Sequence, residues 1–511
     1  METSNSRLIP SFHNYKCDKD TEISEKLCAD LNLNEFFSAI DFTSSSIGRQ
    51  YLYHLLHQDR QSEIEKHESL INKISRDKEY RTRLTKTLAQ TNSPDAYYIT
   101  SLFTASMTVP SKYRLWGMSL SRFAPFILAG LVFVTHSTAL LQLLTVSFII
   151  NFVLHYRNKK NIYQYYYSIP QSLRMLKQAE ELMKDPSVSR IDASIGPAIE
   201  DLKSLKDKLR FFRLSIRMDS DIAILVYCIA EVFNIFFLTE VYAINQSLLG
   251  LTRKKESIEK IFCFVGLVDT LCSVSLLREQ LPYYCLPDVP ADKRTLQVKA
   301  VYHPLIKDAV ANDLTLAGKS MLITGSNMSG KTCFIRTIGI NLLSAKVLNT
   351  CFARIFTMNL ATRIFSSIRN EDSLQEGRSY FLQETIQIKE MIDQSAKAPC
   401  LFLLDEPFKG TNTQERIAIC GAVLAALAEN GNVVLATTHD IELNNLLRSC
   451  YLPYYFCETV RKEQLYFDYQ LKQGVATQHN AIRILEICHY PEAVVQKANE
   501  LASSPAVFTC H

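Results

Sequence analysis

ITGSNMSGKT, residues 323–332, fits the pattern G-x-x-x-x-G-K-[ST], with Gly325, Gly330, Lys331 and Thr332 at the fixed positions. In this pattern the glycines let the chain turn tightly, so that successive backbone N–H groups surround phosphate oxygens. The lysine reaches the β- and γ-phosphates, and the hydroxyl group that follows it ligates Mg²⁺. The stretch therefore predicts a site for a nucleoside triphosphate with Mg²⁺.

The residues around this loop have the order of strand, loop and helix that such a site requires. MLIT (321–324) is a short apolar run typical of a buried strand, and CFIRTIGINLL (333–343) has the period of an amphipathic helix. A helix that begins at the loop places the positive end of its dipole beneath the phosphates. The loop residues predicted to contact the nucleotide are Gly325, Ser326, Asn327, Met328, Ser329 and Gly330.

Two further apolar runs end in polar residues suited to hydrolysis. CLFLLDEP (400–407) delivers Asp405 and Glu406 at the carboxyl end of a predicted strand, the edge where open α/β sheets bind ligands. We predict that Asp405 holds Mg²⁺ through its water shell and that Glu406 orients or deprotonates the attacking water. VVLATTHD (433–440) ends near His439, a predicted γ-phosphate sensor, because a neutral imidazole hydrogen-bonds phosphate oxygen or water.

One helix end is predicted to serve a second subunit. In NEDSLQEGRSYFLQET (370–385), Ser379 precedes a predicted helix and can cap it, with the helix dipole directed at an anion. The sequence has no second phosphate-binding loop for this helix end. We therefore expect Ser379 to close over the nucleotide of another copy of the chain; the alternative is a helix cap without a ligand.

Composition by itself favours no class of partner. The 511 residues include 56 basic and 52 acidic side chains, a net charge of +4 that neither requires nor excludes nucleic acid. The 14 cysteines contain no C-x-x-C pair and are interpreted as reduced cytosolic thiols. The length predicts about two to four domains, and the polar start shows no signal-peptide core.

Residues 123–156 carry no formal charge. As one helix they would be about 50 Å long, whereas the hydrocarbon core of a bilayer is about 30 Å thick. A polar break at 135–138 therefore predicts a helical hairpin at 122–156, and basic residues on both flanks place its two ends in the cytoplasm. Contact with the inner face of the membrane is favoured over burial in a soluble core.

A second apolar stretch spans residues 222–244 and contains Glu231 and Glu240. Carboxylates are costly in lipid, and basic residues flank both ends of the stretch. We therefore predict a largely buried core helix here rather than a membrane span.

Taken together, the motifs resemble the ATPase domain of the MutS mismatch-repair family, and especially the short, membrane-associated MutS-like proteins of bacteria. The resemblance is strong over about residues 297–503 and moderate over 35–95. It includes VYHPLIKDAVANDLTL (301–316), LFLLDEPFKGTNTQER (401–416) and the tail from Phe467. DFTSSSIGRQYLYHLLHQ (41–58) is similar to the start of the family's lever domain.

The resemblance implies an α/β P-loop ATPase domain of the MutS/ABC type at 296–511, closed by a helical dimerisation region. It is preceded by an N-terminal extension (1–34) and a mostly α-helical lever domain (35–295) that carries the hydrophobic hairpin. ATP would lie between two subunits of a homodimer, with Ser379 reaching the γ-phosphate of the partner's nucleotide. Lys331 joins Glu406 and His439 as the catalytic residues.

The family's function implies ATP hydrolysis coupled to binding of mismatched or branched DNA. The chain departs from the family in having no recognisable mismatch-reading domain and in carrying the hairpin where the family's DNA-clamping helices lie. An apolar tip cannot replace lysines and arginines on phosphates. The alternative is a membrane-attached, ATP-driven switch or scaffold that does not recognise mismatches.

Overall fold

The computed structural model describes residues 6–104, 112–209, 232–292, 294–326, 329–368, 380–461, 464–475, 482, 485 and 489–503. These residues form two compact units. The first is drawn from Met1–Cys17, Asp41–Leu55 and Lys66–Glu279, and the second from Asp18–Ile40, Leu56–Glu65 and Gln280–His511. Within the described chain the first unit is helical, and strands occur in the second.

Helices occur in both units, and short 3-10 turns precede or follow several of them. In chain order the helices are α1 (Ser11–Lys16), α2 (Glu25–Asp30), α3 (Leu33–Ile40), α4 (Ser46–Leu56), α5 (Glu68–Arg76), α6 (Lys78–Leu88), α7 (Ser101–Thr104), α8 (Lys112–Thr135), α9 (Thr138–Leu182), α10 (Ile195–Leu209), α11 (Thr239–Thr252), α12 (Lys255–Gln280), α13 (Lys331–Leu348), α14 (Tyr380–Ser395), α15 (Thr413–Leu427), α16 (Glu442–Leu446) and α17 (Glu492–Ser503).

The strands form three sheets. In chain order the strands are β1 (Thr295–Val301), β2 (Asn312–Ala317), β3 (Ser320–Thr324), β4 (Ile355–Met358), β5 (Arg363–Ser367), β6 (Cys400–Asp405), β7 (Val433–Thr437), β8 (Tyr451–Tyr455), β9 (Glu458–Arg461), β10 (Gln464–Phe467) and β11 (Lys472–Gln473). The largest sheet has the order β11-β8-β3-β7-β6-β5, and the others have the orders β2-β1-β4 and β10-β9.

The six-stranded sheet is parallel from β8 to β5, and β11 adds an antiparallel edge. Its central strands β3 and β7 are buried along their whole length, which is typical of parallel strands with both faces covered. Leu404, Ile388 and Leu424 belong to a buried cluster formed by β6, α14 and α15. Because β3, β6 and β7 run in the same direction, the residues that follow each strand meet at one edge of the sheet.

Two segments from the N-terminal part of the chain contact the second unit's sheet. The carboxylate of Asp30 in α2 accepts hydrogen bonds from Ser366 Oγ, at 2.7 Å, and from Ile368 N, at 3.1 Å. Asp59 forms a buried ion pair with Lys346 in α13, and its other oxygen accepts from Ile364 N at 2.9 Å. The second unit is therefore assembled from segments that are far apart in the sequence.

Helix α12 is the core of the first unit. Most of its residues are buried although it is long and apolar enough to cross a membrane by composition. The fully buried carboxylate of Asp269 accepts backbone hydrogen bonds from Ser44 and Ser45, just before α4. A Cβ on Gly48 would lie 2.1 Å from an oxygen of Asp269, so glycine permits this close packing of α4 on α12.

Helices α8 and α9 carry the uncharged stretch, and only His136 and Ser137 separate them. We use the term apolar helix pair for Trp116–Thr135 and Thr138–Arg157, two segments with the length and hydropathy of membrane spans. Only 11% of the most apolar part of each segment is buried. Phe133, Val134 and Trp116 are more than three-quarters exposed. Asn151 in α9 donates hydrogen bonds to the carbonyl of Ser121 in α8 and to that of Phe236, which lies outside the pair.

The second apolar stretch differs from its prediction where it is described. Residues 222–231 lie outside the described residues. Leu238 has a φ of 49° and separates residues 232–237 from α11, so the described part is not one helix. Val232 and Phe233 are about half exposed, which corrects the expectation of burial at this end.

Candidate functional site

The loop after β3 requires glycine at two positions. Gly325 has a φ of 143°, and a Cβ there would lie 2.5 Å from the carbonyl oxygen of Phe456. Gly330 has a φ of 109° and is the N-cap residue of α13. Both angles lie in the region that favours glycine, so the backbone forms a tight turn that leads directly into a helix. Asn327 and Met328 lie outside the described residues.

Lys331 begins α13 and is almost fully buried beneath the loop. Its Nζ donates hydrogen bonds to the carbonyl oxygens of Gly325, at 2.6 Å, and of Ser326, at 3.2 Å. Burial lowers the pKa of the Lys331 ammonium group, and the carboxylates of Glu406 and Asp405 oppose that shift. The ammonium group is thus held between the loop and the ends of the neighbouring strands.

Thr332 and Asp405 offer oxygen ligands to a divalent cation. The hydroxyl of Thr332 donates to Asp405 Oδ2 at 2.8 Å, and the hydroxyl of Thr437 donates to Asp405 Oδ1 at 2.5 Å. Mg²⁺ prefers a small number of protein oxygens and completes its octahedron with water and substrate phosphates. A carboxylate and a hydroxyl beside the glycine-rich loop therefore fit Mg²⁺ by donor type.

Glu406 contacts one histidine and two lysine side chains. Its Oε1 is 2.5 Å from His439 Nε2 and 3.6 Å from Lys331 Nζ, and its Oε2 is 3.0 Å from Lys409 Nζ. The hydrogen bond from His439 is the main cause that lowers the pKa of Glu406 to about 2, with a further contribution from Lys409. The carboxylate is therefore ionised at neutral pH and acts as an acceptor.

Sequence reasoning missed the groups that position this cluster. Arg416, in α15, donates two hydrogen bonds to the carboxylate of Asp440 at 2.7 and 2.8 Å, and Asp440 directly follows His439. Glu384, in α14, accepts the backbone N–H of Phe408 at 3.0 Å. Both contacts join residues at least 24 positions apart, so no local pattern indicates them.

A third missed residue contacts the glycine-rich loop itself. The hydroxyl of Ser326 donates to Oε2 of the buried Glu458 at 2.5 Å. Ser329 donates its hydroxyl to the carbonyl oxygen of Ser326 at 2.8 Å. The two loop serines therefore fix the loop conformation through their own hydrogen bonds.

A cleft of about 750 Å³ opens beside the loop. This volume is within the usual range for small-molecule sites, about 300–1,000 Å³. Burial lowers the pKa of His303 in its wall to about 4, so the imidazole is neutral. The apolar residues of the lining are Val301, Tyr302, Leu305, Ile306, Ala309, Val310, Phe334, Phe456 and Tyr469.

Five predicted site residues come together at the carboxyl edge of the sheet: Lys331, Thr332, Asp405, Glu406 and His439. Gly325, Ser326, Ser329 and Gly330 form the described part of the loop above them. Ser379 lies outside the described residues, and α14 begins at the next residue, Tyr380.

Part of the chain is similar to known proteins. Residues 321–504 match the family model described as MutS domain V. The chain is 30% identical over 271 residues to Endonuclease MutS2 of Thermus thermophilus, covering 51% of this chain and 35% of that protein. It is 28% identical to the DNA mismatch repair protein MutS of Natronomonas pharaonis, over 48% of this chain and 29% of that protein. It is also 28% identical to MutS protein homolog 4 of Homo sapiens, over 48% of this chain and 28% of that protein.

The chain spans about a third of the length of these curated relatives. The matched region contains the buried parallel strands, the glycine-rich loop and the cluster around Glu406. Residues 321–504 are therefore similar to domain V of the MutS family, the part of the chain that carries the glycine-rich loop.

Proposed function

We propose that this chain is an ATPase that binds ATP with Mg²⁺ at the glycine-rich P-loop and hydrolyses it. The observation that carries the proposal is the convergence of Lys331, Thr332, Asp405, Glu406 and His439 beside that loop. A lysine and a threonine at the start of a helix, opposed by two carboxylates at a strand end, are the groups that nucleotide hydrolysis requires. The 750 Å³ cleft provides room for the nucleoside.

Each residue has a distinct part in the proposed reaction. The loop N–H groups and Lys331 hold the phosphates, and Thr332 and Asp405 hold Mg²⁺, which neutralises developing negative charge. Glu406 accepts a hydrogen bond from the attacking water. Its low pKa makes it a weak base, so its role is to orient the water rather than to remove a proton early. His439 donates to the γ-phosphate.

Nucleotide binding is tested with Lys331→Ala and a matched control, Lys409→Ala. Lys331 is buried beneath the loop, whereas Lys409 is two-thirds exposed and contacts Glu406 from the other side. Titration with a fluorescent ATP analogue should show no binding by Lys331→Ala and binding by Lys409→Ala. Equal affinity of the Lys331 variant and the unaltered chain would remove the loop as the phosphate site.

The active form proposed here is a homodimer in which Ser379 of each subunit contacts the nucleotide of the other. Ser379→Ala and Lys331→Ala should each be inactive alone. A mixture should regain part of the activity, because the Lys331 variant supplies Ser379 to a partner that still binds ATP. Mixed subunits that remain inactive, although light scattering shows dimers, would contradict a role in trans.

We propose that the dimer binds DNA during its ATPase cycle. Residues 35–295 form the proposed lever domain, which moves when the two ATPase domains of the dimer (296–511 in each subunit) close on each other. The support is the match to MutS domain V and the similarity to proteins named for DNA mismatch repair. Gel shifts with homoduplex, mismatched and four-way junction DNA should show binding that weakens steeply with salt. Absence of any shift at low salt would contradict this part of the proposal.

A second candidate, a membrane-attached switch, is favoured by the apolar helix pair. Its two spans lack charged side chains between Arg122 and Arg157, and their large apolar side chains are exposed on the described surface. We therefore also propose that this pair inserts into the cytoplasmic face of a bilayer. The intact chain should float with liposomes and resist carbonate extraction, whereas a chain lacking 123–156 should not. An intact chain that stays in the aqueous phase as a soluble oligomer would instead make the pair a protein interface.

A further inference from the structure

Two cysteines face each other next to the helix that begins at the glycine-rich loop. Cys285 and Cys351 are opposite residues of an isolated antiparallel bridge. Cys285 N donates to Cys351 O at 3.1 Å, and Cys351 N donates to Cys285 O at 2.9 Å. The two thiols also hydrogen-bond each other. No disulfide joins any two cysteines of the described chain.

The backbone geometry of this pair is compatible with a disulfide. Residues that exchange both hydrogen bonds across antiparallel strands have Cα atoms about 5.5 Å apart, and Cα separations in disulfides are most often about 5.5–6 Å. The Cβ atoms of such a pair are up to about 5.5 Å apart and must approach to about 3.5–4.5 Å. The bond would therefore form without moving the backbone far, but with some strain, and strained disulfides are readily reduced.

The two thiols differ in a way that suits stepwise oxidation. Cys285 is partly exposed, whereas Cys351 is fully buried. Burial raises the pKa of most other affected thiols, such as Cys28 and Cys420, each to about 12. The hydrogen bond from Cys351 instead lowers the pKa of Cys285, despite its partial burial. Cys285 is thus both the accessible thiol and the better source of thiolate.

We propose that Cys285 and Cys351 form a reversible disulfide and constitute a redox modification site. The thiolate of Cys285 attacks one sulfur of a low-molecular-weight disulfide, such as oxidised glutathione, and displaces one thiolate. Cys351 then loses its proton and attacks the Cys285 sulfur, which releases the second small thiol. The protein loses two protons and two electrons, and the small disulfide is reduced to two thiols.

This modification would join two parts of the second unit. Cys351 follows the C-terminal end of α13, the helix whose first residue is Lys331. Cys285 lies in the segment between α12 and β1, where Asp288 N also bonds the carbonyl of Phe356 at 2.9 Å. The disulfide would therefore fix that connecting segment covalently to the far end of the phosphate-loop helix.

The test is to incubate the full-length reduced protein with oxidised glutathione and to map its peptides without reduction. The unaltered chain should yield a linked pair of peptides containing Cys285 and Cys351, and the link should disappear with a thiol reductant. Cys351→Ser should instead accumulate glutathione on Cys285, because the second attack is removed. Cys285→Ser should leave Cys351 unmodified, because that thiol is buried. Cys450→Ser, a partly exposed thiol elsewhere, is the matched control and should still form the link.

Two results would overturn the inference. One is an unaltered chain that retains glutathione on Cys285 without forming the link, which would mean that Cys351 cannot reach it. The other is a Cys285–Cys351 link that forms only when the protein has unfolded. Circular dichroism recorded during the oxidation shows whether the protein is still folded. Neither result depends on ATP, so failure of the proposed ATPase activity would be seen separately in phosphate release.

Discussion

His439 Nε2 lies 2.5 Å from Glu406 Oε1, although 33 positions separate the two residues in the sequence. The contact exists because β6 and β7 are parallel neighbours, with Asp405 paired to Thr437 at their ends. Glu406, the first residue after β6, and His439, the second residue after β7, therefore lie at the same edge of the sheet. The backbone of Glu406 also adopts a φ of 49°, an angle that few residues other than glycine adopt without strain. Such strain is typical of positions that function requires.

Replacing Glu406 with Gln should stop turnover while leaving nucleotide binding intact. Glutamine keeps the size of the side chain but has one acceptor oxygen and no charge to orient the attacking water. We expect kcat to fall by about 10²–10⁴, the usual contribution of a positioned acid or base. Phosphate release and binding of a fluorescent ATP analogue measure the two effects separately. Glu429→Gln, an exposed residue just after α15, is the control. Unaltered turnover in the Glu406 variant would remove Glu406 from the reaction.

The same contacts predict how acid affects stability. Hydrogen bonding to His439 and Lys409 lowers the pKa of Glu406 from 4.5 to about 2 in the folded chain. A carboxyl group with a lowered folded pKa adds stability above its unfolded pKa and loses it as the pH falls through the folded value. The contribution of Glu406 should thus be complete above about pH 5 and decline between about pH 4.5 and 2.

Urea unfolding of the unaltered chain and of Glu406→Gln, measured from pH 7 to pH 3, tests this expectation. The difference in unfolding free energy between the two proteins should shrink as the pH is lowered. Other carboxylates titrate in both proteins, so their effects cancel in the difference. A difference that is constant across this range would mean that His439 and Lys409 do not stabilise the ionised form of Glu406.

Local sequence patterns were sufficient to predict the elements that carry the site. The glycine-rich loop has a fixed spacing of residues. The runs 321–324, 400–405 and 433–437 lie in buried strands, as expected for short, almost continuously apolar segments. The charge-free stretch likewise lies in two helices that break near His136, within the predicted polar break. These features depend on residues that are close together in the chain.

Contacts between distant residues could not be predicted in the same way. Asp30 and Asp59 belong to the second unit through bonds to Ser366 and Lys346, although the sequence around them resembles neighbouring helical segments. The turn at Leu238 also gives no local signal, because leucine rarely adopts a positive φ. Both cases depend on tertiary packing, which overrides the preferences of single residues.

Glycine at position 325 should be required, whereas glycine at 421 should not. Ala at 325 would need a φ of 143° and would bring a Cβ within 2.5 Å of the carbonyl oxygen of Phe456. At Gly421, inside α15, the nearest atom to an added Cβ is 3.8 Å away, which is ordinary contact. Gly421→Ala should therefore stabilise the chain by about 0.5–1 kcal/mol, while Gly325→Ala should lower stability and abolish ATP binding.

Thermal unfolding and nucleotide titration of the two variants provide the measurement. Gly421→Ala should unfold at a higher temperature than the unaltered chain and bind ATP with the same affinity. Should Gly325→Ala bind the nucleotide normally, the loop geometry described for that residue would be wrong.

Glu384 should stabilise the loop that follows Glu406. Its Oε2 accepts the N–H of Phe408, whose φ of 60° makes the loop conformation costly without support. Glu384→Ala would leave that buried N–H without a partner, at a cost of about 1–3 kcal/mol. Glu384→Gln keeps an acceptor oxygen and should largely preserve the bond. The alanine variant should also turn over ATP more slowly, because the loop holds Glu406 beside His439.

The glutamine variant should in addition change the pH dependence. Burial raises the pKa of Glu384, so the folded chain disfavours its ionised form. A carboxyl group with a raised folded pKa costs stability once the pH rises above its unfolded pKa, and Gln removes that cost. In urea unfolding, Glu384→Gln should therefore gain stability relative to the unaltered chain as the pH is raised from 4 to 8. Equal loss of stability in the Gln and Ala variants would show that the charge of Glu384, rather than its hydrogen bond to Phe408, supports the loop.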